Sequence, residues 1–128
     1  MGSSKAPGDP DPILSFVETG LEPRPRLLVE RLLYVRGLLQ TNAVLAPRFH
    51  LGDCAAAHHI LLGGTIAGRA AVERLRFYGF QVEPSIDPPG IRFFVSSQHA
   101  ETELRALLVA ITMVVRELTA TSARADQR

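Results

Sequence analysis

The chain has 128 residues, which suits one domain with one core and is too short for two ordinary ones. With 46% hydrophobic and 21% charged residues, and a net charge of +1 with both signs spread along it, it reads as globular and offers no electrostatic footprint for nucleic acid. The single cysteine, Cys54, excludes an internal disulfide and suits a reducing compartment.

Residues 1–12, MGSSKAPGDPDP, hold no apolar run of the kind a signal peptide needs. Ala6 stands where a myristoylation motif requires Ser or Thr. Charge interrupts every apolar segment before membrane-spanning length, so a cytosolic protein with no membrane span is expected. The polar and Pro-rich residues 1–12 and the small, polar residues 119–128 are expected as loose tails around one domain at 13–118.

Within that domain, PRPRLLVERLLYVRGLLQTN repeats Leu27, Leu28, Val35, Leu38 and Leu39 at helical spacing. Pro47 and Gly52-Asp53 mark a loop. AAHHILLGG is a short apolar run closed by Gly63-Gly64 and reads as a strand. A second helix follows in TIAGRAAVERLRFYGF, with Ile66, Ala70, Leu75 and Tyr78 as its apolar set and Gly79 as its C-terminal stop. FQVEP reads as a strand closed by Pro84, and DPPG as a turn.

Ile91, Phe93 and Val95 then alternate with Arg92, Phe94 and Ser96, so the first three form a core face and the others point away. The last helix is expected from about Ala100 to Leu118, with Glu101 and Glu103 favouring the positive end of its dipole. Leu104, Leu107, Leu108, Ile111, Val115 and Leu118 make one stripe able to cover a sheet. Val109 and Met113 fall opposite, flanked by Arg105, Thr112 and Arg116, and read either as ordinary exposed residues or as a contact with another chain. The order helix, strand, helix, strand, strand, helix predicts the α+β class: a small, mainly antiparallel sheet of about three strands with helices on one face.

Candidate chemistry is sparse. His50, Cys54 and His58 recur every fourth residue, and His59 follows. On a helix that spacing would suggest zinc. Gly52-Asp53 breaks any such helix and alternation sends His58 and His59 to opposite faces, so no metal is expected. Cys54 lacks an evident oxyanion donor or orienting carboxylate for nucleophilic work. GGTIAG lacks the lysine and spacing of a phosphate loop. Arg92, on the outer face of its strand, points either to solvent, as a lone strand arginine usually does, or into a site where its planar fork meets an anion, a carboxylate suiting two-point binding.

PPGIRFFVSSQHAETELRALLVAI resembles the C-terminal end of the α-oxoamine synthases. This pyridoxal-phosphate family includes amino-oxononanoate synthase, glycine C-acetyltransferase, aminolevulinate synthase and serine palmitoyltransferase. The resemblance is carried by Pro89-Gly90, Arg92, the strand to Ser96, the Ser97-Gln98-His99 corner, Glu101 and Glu103, and Leu104, Leu107 and Leu108. Upstream, HHILLGGTIAGRAAVERLRFYGFQVEP is similar to the family's strand, helix and Gly-aromatic-x-Val strand, so the likeness spans about residues 24–118.

The resemblance implies that Arg92 binds the carboxylate of an amino-acid substrate, and that His99 is a structural corner with no chemistry of its own. It also implies a larger domain holding pyridoxal phosphate through a lysine, a ring-stacking histidine and an aspartate. The only lysine here is Lys5, so the chain is expected to bind no cofactor alone and to need a large-domain partner chain or a homo-oligomer. The family includes heterodimers in which one chain lacks the lysine. His58-His59 replaces the family's usual apolar residues and proline, and Ala100 its helix-capping Thr. A non-enzymatic interaction or dimerisation module derived from the same fold is the alternative.

Overall fold

The computed structural model describes residues 14–18, 22–52, 56–62, 68–86 and 89–126, with side chains to residue 120. The expected N-terminal tail, Asp53, Cys54, Gly63-Gly64 and Ile66 lie outside them. Among the described residues the elements are β1 (Leu14–Ser15), α1 (Pro25–Thr41), a 3-10 turn (Ala46–Arg48), β2 (Phe49–Leu51), β3 (Ala57–Leu61), α2 (Gly68–Phe77), β4 (Phe80–Gln81), β5 (Glu83–Ser85), β6 (Gly90–Phe94) and α3 (Glu101–Asp126). They form a four-stranded antiparallel sheet in the order β2-β3-β6-β5 and a two-stranded parallel pair, β1-β4. This is the expected α+β class, with a larger sheet than the three strands anticipated.

The helices form because their apolar residues recur at the helical period. Pro25 opens α1, where its missing N–H costs nothing, and Leu32, Val35 and Leu39 are buried. Asn42 ends it. Its Oδ1 accepts from the Val44 and Leu45 amides at 2.9 Å each, and its Nδ2 donates to Thr112 Oγ1 of α3 at 2.9 Å. In α2, Ala71 and Leu75 are the buried pair, and the chain stops at Gly79, whose φ of 96° lies in the left-handed region that glycine tolerates. On α3 the expected stripe is buried from Leu104 to Val115, with Leu118 packed at its margin. The helix does not end at Leu118 but continues to Asp126, so most of the expected C-terminal tail is helical.

Together the helices cover one face of the four-stranded sheet, where Ile60, Ile91 and Phe93 complete the core. Glu117 ties α3 to the end of α2, accepting from the Tyr78 hydroxyl at 2.6 Å and from Arg74 at 3.0 Å. These bonds hold its carboxyl below the ordinary glutamate value, the Tyr78 bond contributing most.

Three features depart from the expected strands. Phe49–Leu51, read as loop, is the edge strand β2. FQVEP is not one strand: the chain leaves β4 at buried Val82 and enters β5, so its halves pair with different partners. The segment Leu14–Phe16 was not anticipated as structured. Its Phe16 N–H donates to Gln81 O (2.8 Å) and its Phe16 carbonyl accepts from Phe94 N–H (2.6 Å), joining the parallel pair to the end of β6. Gly90 is needed where β6 starts, because a Cβ there would collide with the carbonyl oxygen of Ile60.

Candidate functional site

Four polar side chains line up across the outer face of the sheet. In register, His50 faces His59, His59 faces Arg92, and Arg92 faces Glu83, so one row crosses β2, β3, β6 and β5. Two backbone bonds set the phase of this row. Gly52 N–H donates to Ala57 O (2.9 Å) and Val95 N–H to Ala56 O (3.0 Å). Two residues from Gly52–Ala57, His50–His59 is a hydrogen-bonded pair, and three residues from Ala56–Val95, His59–Arg92 is a non-hydrogen-bonded pair. The Cα separations for these classes are about 5.5 and 4.5 Å respectively.

Arg92 is half-buried, and its guanidinium carbon lies 4.7 Å from the centroid of the Phe94 ring. This is a cation–π contact along one strand. Phe94 shares the outer face yet is only 5% exposed, so that face is not bare at this point. Alternation alone does not reveal this burial, to which the Arg92 guanidinium over the ring contributes.

His58, one residue earlier than His59, belongs to the core. It is fully buried, with its ring stacked 5.1 Å from Phe93 and 5.8 Å from Phe49. Its Nδ1 lies 3.2 Å from Ala56 O and donates to it, leaving Nε2 buried with no hydrogen-bond partner among the described residues. Burial lowers its pKa from 6.5 to about 4; the Ala56 bond opposes this and the nearby Arg36 and His59 charges reinforce it. His58 is therefore neutral near pH 7.

His99 stands at the corner between β6 and α3. Its Nδ1 accepts from Ser96 N–H (3.0 Å), which assigns the proton to Nε2, and that donates to Ser15 O (2.8 Å). The ring stacks on Phe16 at 4.2 Å, and the His99 carbonyl accepts from Arg31 Nε of α1 at 2.7 Å. Both ring nitrogens are thus used in holding the corner. Ala100 offers no side-chain cap to α3, but Glu103 Oε1 accepts from the Ala100 amide at 2.8 Å, the remaining half of a capping box.

Away from this row, Val109 and Met113 are 55% and 45% exposed on the outer side of α3. With Tyr78, Phe80, Ala106 and Ala110 they line an open apolar groove of about 430 Å³.

The metal reading of His50, Cys54 and His58 dissolves in part: His58 is turned into the core, and Cys54 is outside the described residues. The sequence did not bring His50 and His59 together, since their meeting depends on a hairpin whose first strand read as loop. Nor did it single out Glu83. Among the described residues no group of three or more His, Cys, Asp or Glu side chains could hold a metal, and no helix is long and apolar enough to cross a membrane. No protein-family model matches the chain, and no curated protein matches it. The fold and the row define an α+β domain with a polar row across the outer face of its sheet.

Proposed function

We propose that this chain is a small domain of the α-oxoamine-synthase type, not catalytic by itself, that supplies Arg92 to a substrate-carboxylate site completed by a large-domain partner. The observation that carries the reading is the position of Arg92. It projects from the outer face of β6, two residues after Gly90, on the strand that leads into the His99 corner. A guanidinium held by a strand and braced on Phe94 is a pre-oriented fork for a carboxylate. In the completed assembly the reaction would be pyridoxal-phosphate-dependent acyl transfer to an amino acid, in the cytoplasm.

The described residues do not fit the cofactor itself. The sequence's one lysine, Lys5, lies outside them, so among the described residues there is no lysine amine to hold it. Binding and chemistry at the cofactor are therefore assigned to the partner, and this chain's role is to orient the substrate.

The test is purification from the native source with an absorbance scan of the associated material. A co-purifying chain that carries the cofactor supports the reading. A preparation with neither partner nor cofactor absorbance overturns it. The exposed Val109–Met113 groove favours a second reading, a non-enzymatic interaction or dimerisation module, which predicts association without any cofactor.

A further inference from the structure

We propose that His50 and His59 form a two-histidine site for a borderline divalent transition metal, of the Cu2+, Ni2+ and Zn2+ class, on the outer face of the sheet. The two are direct partners across the β2–β3 hairpin and project from the same face. Direct cross-strand neighbours have Cβ atoms about 4.5–5.5 Å apart. Two imidazoles on such a pair can converge on one ion standing above the strands, at metal–nitrogen distances of about 2.0–2.1 Å. Backbone hydrogen bonds fix both strands, so the donors are pre-positioned by the sheet rather than by a loop.

A second observation points the same way. His59 Nε2 is shielded from solvent and makes no hydrogen bond in the described structure. A buried imidazole nitrogen without a partner calls for an explanation, and a bound ion is one. His50 is exposed, which gives the ion a route in and leaves coordination positions open to water or to an anion.

Neighbouring groups define the limits of the site. His58 cannot join it, being on the opposite face with its ring stacked on Phe93. Arg92 flanks His59 on the side away from His50, and its guanidinium lies over Phe94. A cation beside the ion lowers affinity for the bare dication and favours an anionic co-ligand, such as a carboxylate, in the open positions. With two protein ligands the site is exchangeable, and its preference should follow the order Cu2+ above Ni2+ and Zn2+.

The experiment is calorimetric titration of the tag-free full chain in a Cys54→Ser background with Cu2+, Ni2+ and Zn2+ in turn, which removes the thiol as a competing ligand. One ion per chain is expected, with Cu2+ tightest. His50→Ala changes an exposed residue and should weaken binding at least tenfold without loss of fold. His59→Gln should do the same, while His58→Phe should leave binding within about twofold. Absence of stoichiometric binding in the Cys54→Ser background, or affinity unchanged by His50→Ala, overturns the site.

Discussion

His59 and Arg92 are direct partners across β3 and β6 on the outer face, while the adjacent His58 faces Phe93 in the core. One step along β3 therefore separates a histidine that borders the candidate site from one that fills the interior. The outer row keeps a cationic fork beside an imidazole, and the inner ring acts as an aromatic spacer.

For Arg92, the contact with Phe94 predicts a modest structural role beside the binding one. Arg92→Ala should cost about 1 kcal/mol of stability by uncovering Phe94. In a complex with the proposed partner it should weaken amino-acid binding by about 1.5–3 kcal/mol, the value of a charge-assisted bond. Arg92→Lys should recover much of the stability but not the affinity, because an ammonium lacks the two-point fork. Denaturation and ligand titration of both variants check this; equal losses of affinity and stability would make the arginine purely structural.

His58 should make stability depend on pH. Its folded pKa, about 4, lies below the unfolded value of 6.5, so the unfolded chain takes up the proton first. Stability is then greatest above pH 6.5 and declines as the pH falls from about 6.5 to 4, by about 3 kcal/mol in all. His58→Phe keeps a ring between Phe49 and Phe93 and should flatten this part of the curve. Urea melts at pH 7 and pH 4.5 would show it, and an equal slope in both proteins would locate the pH dependence elsewhere.

The start of α3 is half capped. Ala100→Ser adds the missing hydroxyl acceptor at the N-cap and should stabilise the protein by about 1 kcal/mol. Glu103→Ala removes the carboxylate that accepts from the Ala100 amide and should destabilise it by about 0.5–1.5 kcal/mol. Opposite thermal shifts for the two variants are the expected result.

Val109 and Met113 test the interaction reading. If their groove is a contact surface, sedimentation at rising concentration should reveal association, and Met113→Lys should reduce it. Burying each side chain offers about 1.5–3 kcal/mol at most, so neighbouring groove residues must add to it. A monomer at high concentration that also captures no partner would leave them as ordinary exposed residues.

What the sequence determined by itself was local. The period of α1 and α3, the glycine stop of α2, the alternation about Arg92 and the corner at His99 are each set by residues a few positions apart. Helical spacing and strand alternation are properties of short segments. The α+β class followed from their order. Tertiary structure decided what depends on distant chain: that Phe49–Leu51 pairs as a strand, and that FQVEP divides at Val82 between two sheets. It also decided that His50 meets His59 while His58 does not. A register shift of one residue would exchange those two histidines between core and surface, and only packing of the whole sheet against its helices selects between them.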